Sequence, residues 1–362
     1  ARYAHILPML RDMAGLARTL EKKRRARGAL DLESRECYIV CDADGLPVDI
    51  RVRESGTSER LIESFMLAAN ECVAEHLQKA ALPAVYRVHE KPSADKAANL
   101  KAMLAPLGFA LREADNGSLQ KVLDAARGTP QAPAIHTMVL RSLMKARYDV
   151  QNLGHFGLAA KYYCHFTSPI RRYPDLMVHR ILTALLDGTL GEGRSAGALS
   201  AAAQRAAVQS SEREIAAMSA EREIETCYMA EFMSAHVGET FPGAVSGVTR
   251  FGLFVALANG VEGLLPVTAL PDDRYEYDEV RMTLTGSRTK LTYSFGMPLE
   301  VLCAAANAGS GQIDFTLPGV EGAAPRAIPA AAPKHQTRTK AKRPSGKPAY
   351  RPPKRERGRK KR

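Results

Sequence analysis

Gly243-Ala244-Val245-Ser246-Gly247-Val248, Gly252-Leu253-Phe254-Val255-Ala256-Leu257 and Val261-Glu262-Gly263-Leu264-Leu265-Pro266 are apolar runs of strand length punctuated by glycine. Residues 298–303 and 312–317 repeat the pattern. Short strands with glycine at the bends predict a small closed five-stranded barrel of the OB type over residues 237–318. In Thr249-Arg250-Phe251-Gly252-Leu253-Phe254-Val255, Arg250, Phe251 and Phe254 are candidates to meet RNA, because aromatic rings on such a barrel stack bases. Tyr275 and Tyr277, read as loop residues, would extend that platform. Core packing is the competing reading: strict alternation would set Phe251 on the same face as Leu253.

Upstream of the barrel the period changes from two to three or four. Helices are predicted over residues 9–27, 58–79, 94–107, 118–127, 133–146, 175–187 and 200–236, with Gly28 as a helix stop and Ser58 as an N-cap. The last of these, rich in Glu-Arg pairs, reads as an exposed connector. Residues 36–41 and 47–52 flank Asp42-Ala43-Asp44-Gly45 and read as a β-hairpin. The fold class is therefore α+β: a mostly helical part with a hairpin at 1–235, the barrel, and a tail at 319–362 whose Pro, Ala, Lys and Arg content predicts disorder.

The chain has 362 residues and a formal charge of +12. Residues 334–362 hold fourteen Lys or Arg against Glu356, or +13, which leaves the remainder at about −1. A grip on a polyanion elsewhere must come from local clusters. No run of about 18 apolar residues occurs and no charged-then-apolar leader opens the chain, so a cytoplasmic monomer without a membrane partner is expected. The six cysteines lack the paired short spacings of a zinc site and read as reduced core residues.

The densest chemistry lies in His165-Phe166-Thr167-Ser168-Pro169-Ile170-Arg171-Arg172-Tyr173-Pro174-Asp175. Two prolines hold an irregular backbone around consecutive arginines, ahead of a helix whose first turn Pro174 suits. Ser168, Arg171, Arg172 and Tyr173 would then present guanidinium and hydroxyl donors as a phosphate clamp. The alternative is a structural network in which the arginines pair with Glu63 or Asp175. His155, His165 and His179 are read as structural, because magnesium prefers oxygen ligands and a lone helical histidine usually satisfies a local hydrogen bond.

The segment Gly154-His155-Phe156-Gly157-Leu158-Ala159, the arginine loop, Leu61-Ile62-Glu63-Ser64-Phe65-Met66-Leu67-Ala68-Ala69-Asn70 and Tyr86-Arg87-Val88-His89-Glu90-Lys91-Pro92 together resemble the ribonuclease II and ribonuclease R family, in the family's order over residues 1–318. The basic tail suits the ribonuclease R kind better. The resemblance implies that 1–235 is the C-terminal part of an RNB catalytic domain and that 237–318 is an S1-type RNA-binding domain. It implies hydrolysis of single-stranded RNA from its 3′ end to nucleoside 5′-monophosphates, processively, with no preference for DNA. It also implies Mg2+ held by clustered aspartates. Those aspartates would precede everything matched here, and the start at Ala1 without Met suggests a cut inside a larger protein. Asp42 and Asp44 read as a turn, not as a substitute. The chain alone would then be inactive, and a non-catalytic RNA-binding fragment is the alternative.

By the same resemblance Arg171 contacts the phosphate near the scissile bond. Glu63 positions the terminal nucleotide, with Asn70 on its face; an ordinary partner of Arg60 is the plainer reading for Glu63. Leu32 stands where the family commonly has a phenylalanine against the terminal bases. That change leaves apolar contact without a stacking face, and puts the end-product length in question.

Overall fold

The computed structural model describes residues 3–319 except 33–35, 54, 130, 190–193, 272 and 280. The expected disordered tail, from 320 onward, lies outside the described residues.

The first helix, α1 (Leu7–Ala26), carries Pro8 in its first turn and stops where Gly28 takes a positive φ of 97°. Next comes the hairpin of β1 (Glu36–Cys41) and β2 (Pro47–Arg53), in antiparallel register from Glu36 opposite Arg53 onward. Its turn is closed by Asp42, whose Oδ1 accepts from the N–H groups of Asp44 and Leu46, both at 2.9 Å. That is the turn chemistry expected of an Asp-x-Asp-Gly stretch.

The second helix, α2 (Thr57–Lys79), corrects one expectation. Its N-cap is Gly56 without a side-chain cap, and Ser58 sits inside the first turn, bonded to Glu59. It buries Ser64 and Asn70 beside Ala74 and Leu77, yet leaves Ile62 exposed, so its buried face follows the apolar spacing only in part.

Beyond β3 (Tyr86–Val88) come α3 (Ala94–Leu104), α4 (Asn116–Ala126) and α5 (Ala132–Ser142). The first two are capped by Ser93 and Asp115, whose side chains accept from backbone N–H groups three residues on. Pro106 and Gly108 end α3 in a 3-10 turn, earlier than the apolar spacing suggests. The three helices share one core around Leu100, Leu104, Leu119, Leu123 and Ile135. The expected helix over 133–146 stops at Ser142 because residues 147–149 form β4 (Arg147–Asp149), which pairs antiparallel with β3.

The next helix, α6 (Tyr173–Leu186), begins two residues before its predicted start, with Pro174 in its first turn. It is followed by α7 (Arg194–Ser234), whose Ala203, Ala206 and Ala207 are buried at one end and Ala230 and Met233 at the other. Residues 215–226 are exposed on every face, as the connector reading requires.

The barrel closes in the order β11-β12-β7-β6-β5. Its strands are β5 (Thr240–Thr249), β6 (Gly252–Leu257), β7 (Glu262–Pro266), β11 (Pro298–Asn307) and β12 (Gln312–Thr316). Parallel pairing of Asp314 with Leu264 seals the ring. Between β7 and β11 runs an unpredicted three-stranded sheet of β8 (Tyr275–Asp278), β9 (Thr283–Gly286) and β10 (Thr292–Ser294), so Tyr275 and Tyr277 belong to a strand and not to a loop.

The barrel interior, with Val245, Leu253, Val255, Leu265, Val301 and Phe315, forms one core with Ile50 of the hairpin and Met233 of α7. Cys37 of β1 reaches the barrel's Asn259 carbonyl at 3.4 Å. Cysteine burial departs from expectation: Cys164 and Cys303 are core residues, whereas Cys41 and Cys72 are exposed; all six are free thiols.

Gly263 lies so close to the buried Phe315 ring that an added Cβ would stand 2.4 Å from it. Gly263→Ala is therefore expected to destabilise the fold by about 1–3 kcal/mol, the usual cost of overpacking. A shift in the urea unfolding midpoint measures it, and an unchanged midpoint contradicts it.

Candidate active-site groove and RNA interface

A groove of about 580 Å3 runs along α2. Glu63 and Asn70, seven residues apart and so on one helical face, line it together with Met66, Tyr163 and Arg172. Three of the candidate residues thus share one depression although they are separated by up to about a hundred positions in the chain.

Asn70 is 3% exposed, and its amide is spent inside the protein. Its Nδ2 donates to the Tyr163 hydroxyl at 3.2 Å and its Oδ1 accepts from the Phe166 N–H at 3.0 Å. The Cys164 thiol adds a bond to the Asn70 carbonyl. Asn70 therefore pins residues 163–166, the approach to the arginine loop, against α2. Glu63 stays more than half exposed, and its ion partner is Arg24 of α1 at 3.8 Å, while Arg60 turns back to the Gly56 carbonyl. The plainer reading of Glu63 as a partner of Arg60 is thus corrected to Arg24, which local sequence could not reveal.

The arginine loop is organised by Asp175, which is wholly buried in the first turn of α6. Its Oδ1 accepts from the Ser168 N–H at 2.8 Å and from the Arg172 guanidinium at 2.7 Å. The Ser168 carbonyl in turn accepts from the N–H groups of Arg171 and Arg172, at 3.3 and 3.1 Å. One carboxylate oxygen thereby ties the loop at both ends.

The two arginines divide the roles that the sequence left open. Arg172 makes the structural pair with Asp175. Arg171 is exposed and, among the described residues, forms no ion pair. Tyr173 beside it is half exposed. Thr167 Oγ1, Arg172 Nε and Asp175 Oδ2 are buried without a hydrogen-bond partner. Unpaired polar atoms of this kind cost roughly 1–3 kcal/mol each, and a native fold tolerates few of them.

Behind the loop lies a ladder of rings. His89 meets His155 at 5.0 Å between centroids, His155 meets Tyr163 at 5.2 Å, Tyr163 meets His165 at 5.7 Å, and His165 meets Tyr148 at 5.6 Å. His165 Nδ1 stands 2.9 Å from the Tyr148 hydroxyl. Burial, and then the nearby positive charge, push His155 and His165 down to about 3, so both are neutral at ordinary pH. Burial also raises the Tyr148 hydroxyl to about 12. His179 bonds the Phe166 carbonyl at 2.8 Å and stacks on the Phe166 ring at 4.1 Å. All three histidines have protein partners that account for their positions.

Among the described residues no three His, Cys, Asp or Glu side chains converge as metal ligands. Asp42 is committed to its turn, and Asp175 has its Oδ1 committed to the loop. These residues do not fit a resident magnesium ion.

Leu32 is partly buried against the core of α3, α4 and α5 and does not line the groove. On the barrel, Arg250 and Phe251 occupy the turn between β5 and β6 and are exposed, whereas Leu253 is fully buried. The alternation argument therefore fails for Phe251: it precedes the strand, and Gly252 intervenes with φ at 154°. Phe251 meets the part-exposed Phe254 edge to face, with centroids 6.2 Å apart. Arg250 and both rings thus lie at one end of the barrel surface.

A family model of the RNB domain matches residues 2–188, and one of the S1 RNA binding domain matches residues 234–291. The chain belongs to the RNB family. Ribonuclease R 1 of Lactococcus lactis is 40% identical over 321 residues, covering 86% of this chain and 39% of that protein. Ribonuclease R of Aquifex aeolicus is 37% identical, covering 87% of this chain and 45% of its own length. Mycoplasma genitalium RNase R, solved with ribose-methylated single-stranded RNA, superposes with a TM-score of 0.82 at 29% identity, over 86% of this chain and 50% of that one. The chain spans about two fifths of the curated relatives that it matches. Within this RNB and S1 pairing, the S1 match ends at 291, so β10, β11 and β12 lie outside the matched residues, although β11 and β12 complete the barrel.

Two measurements test the loop's architecture. Asp175→Ala leaves the Arg172 guanidinium without its buried partner and is expected to cost about 3 kcal/mol in denaturant unfolding. Asp175→Asn keeps an oxygen for the Ser168 N–H and should cost less; equal losses would show that the backbone tie carries nothing. His165 takes up its proton near pH 6.5 in the unfolded chain and only near 3 in the fold. Stability must therefore fall as pH drops from about 6.5 toward 3, by about 1.4 kcal/mol per pH unit for each such histidine. His165→Gln is expected to flatten that slope by nearly one proton between pH 6 and 4. An unchanged slope would mean that His165 is not held neutral.

Proposed function

We propose that this chain is the C-terminal part of a 3′-to-5′ exoribonuclease of the ribonuclease R kind, acting processively on single-stranded RNA and releasing nucleoside 5′-monophosphates. The observation that carries this reading is Arg171. It is an exposed cation without an ion pair among the described residues, on a loop that Asp175 and Ser168 hold in place, next to a groove lined by Glu63 and Arg172. A guanidinium fixed in this manner, with its neighbour's charge already neutralised, is suited to a phosphodiester as it gains negative charge.

In this reading Ser168 and Tyr173 flank the phosphate, and Glu63 accepts from the hydroxyls of the terminal ribose. Asn70 and Arg172 contribute mainly by holding the wall of the groove. Leu32 offers an apolar contact without a stacking face. Arg250, Phe251 and Phe254 hold incoming bases by stacking, which tolerates any sequence. The division into 1–235, 237–318 and 319–362 belongs to the same proposal, as do a monomeric, cytoplasmic state and the lack of a preference for DNA. No helix among the described residues is long and apolar enough to cross a membrane. The basic tail adds salt-sensitive affinity for any polyanion.

The family implies a divalent metal, which activates water and stabilises phosphoryl charge when bound. The described residues do not fit such an ion. That misfit favours a second reading, in which the chain by itself binds RNA without cutting it.

Incubating this chain with end-labelled single-stranded RNA and magnesium separates the two readings. Retained RNA without mononucleotides is expected from the chain alone; release of mononucleotides would overturn the statement that its residues do not provide the metal site. In the protein that carries activity, Arg171→Ala is expected to lower kcat/KM about a hundredfold, on the scale of ~3 kcal/mol lost with one charge-stabilising donor. Activity within threefold of the parent would remove Arg171 from the reaction.

A further inference from the structure

A second cleft, of about 500 Å3, lies between α3 and residues 111–115 and shares no lining residue with the groove along α2. Its volume falls in the range of small-molecule sites, roughly 300–1,000 Å3. Lys91, Lys101 and Arg112 line it, and Phe156 forms part of its wall.

Some nearby basic groups are used internally: Lys96 donates to the Leu143 carbonyl at 2.7 Å, Arg127 pairs with Asp31 and Asp124, and Arg147 pairs with Glu90 and Asp149, whereas Lys121 and Lys145 are exposed and form no ion pair among the described residues. Lys91, Lys101 and Arg112 are exposed and have no ion pair among the described residues. Of the two carboxylates in the lining, Asp115 is occupied as the cap of α4, with its oxygens on the Ser118 N–H and hydroxyl at 3.0 and 2.8 Å. Both carboxylates remain charged, so the three cations leave the lining a net charge of +1 (3 − 2), and with Asp115 turned to its cap the cleft favours an anion.

Phe156 is held independently of any ligand. Its N–H donates to the His89 carbonyl at 2.7 Å, its carbonyl accepts from Asn116 at 2.6 Å, and its ring packs against the core of α3, α4 and α5. A fixed, part-exposed ring beside bare cations combines the two features that bind a nucleotide, a stacking face and phosphate donors. Glu113 adds an acceptor able to take a ribose 2′-hydroxyl, the group that distinguishes RNA from DNA.

We propose that this cleft binds a nucleoside phosphate of RNA: Lys91, Lys101 and Arg112 hold the phosphate, Phe156 lies against the base, and Glu113 accepts from the ribose. The site is separate from the Arg171 groove and does not depend on the reading of that groove. The source is either a strand passing over the helices or a free nucleotide, and the chemistry is shared.

Photolabelling of the full chain with 8-azidoadenosine 5′-monophosphate, followed by peptide mapping, tests it. Label is expected in peptides containing residues 91–115 and 156. The double variant Lys101→Glu, Arg112→Glu should reduce that label at least tenfold, and Phe156→Leu, which keeps the apolar packing, at least threefold. Arg171→Ala should leave it unchanged, which separates failure here from failure of the groove assignment. Label confined to α2 or the barrel, or label indifferent to the charge reversal, would overturn the site. Equal labelling by the 2′-deoxy probe would overturn the role of Glu113. Competition by a five-nucleotide RNA at tenfold lower concentration than AMP identifies a strand as the source; equal competition identifies a free nucleotide.

Discussion

The buried carboxylate of Asp175 is the constraint on which the candidate site depends. Removing a charge from water is costly, and the fold accepts that cost because one oxygen satisfies a backbone N–H and a guanidinium together. The effect is a sorting of charge: Arg172 is neutralised and locked, and Arg171, one residue earlier, is left exposed on a stiffened backbone. Asn70 works on the preceding segment in the same manner, with both ends of its amide engaged and its helix supplying a rigid base. The ladder from His89 to Tyr148 fills the space behind, and because its imidazoles are neutral it adds packing without a competing positive charge.

The second constraint is the common core of the barrel, the hairpin and α7. Ile50 of β2 and Met233 of α7 are buried among the barrel's own interior residues, so the barrel's hydrophobic interior is completed from outside its strands. The exposed middle of α7 separates that core from the one around Val178 and Ile181. The face carrying Phe251 and Phe254 is thereby attached through two packed elements, the hairpin and the end of α7, and not through a single connecting segment.

Much of this was legible in the sequence where the physics is local. Gly28 as a helix stop, the Asp42 turn, the barrel strands and the exposure of the long connector all follow from backbone sterics, turn chemistry or hydrophobic period. Several of the failures were set by partners distant in the chain. The helix expected through residue 146 yields to β4 because β3, about sixty residues earlier, offers an edge to pair with. Glu63 turns to Arg24 and not to the nearby Arg60, because α1 packs beside α2. The alternation rule misplaced Phe251 because it assumed a continuous strand, whereas Gly252 resets the backbone. In the arginine loop the residue types were read correctly, but which arginine was spent and which was free depended on the burial of Asp175, which no local pattern reports.

The charge distribution gives these details their weight. The body of the chain is nearly neutral, so its long-range field offers a polyanion little, and a grip on one depends on where individual unpaired cations stand. An unpaired cation is informative where the fold also sets it on a stiffened loop, in a cleft or beside a ring. Arg171 stands on the loop, Arg250 beside the barrel's rings, and Lys91, Lys101 and Arg112 along one cleft. Each of these three places has an aromatic ring near the charge: Tyr173 by Arg171, Phe251 and Phe254 by Arg250, and Phe156 by the cleft. A chain selected only for solubility would have no reason to pair bare cations with fixed rings, since surface charge serves solubility wherever it is placed. The pairing is what recognition of a nucleic-acid strand requires, because phosphate and base must be met together at nucleotide spacing.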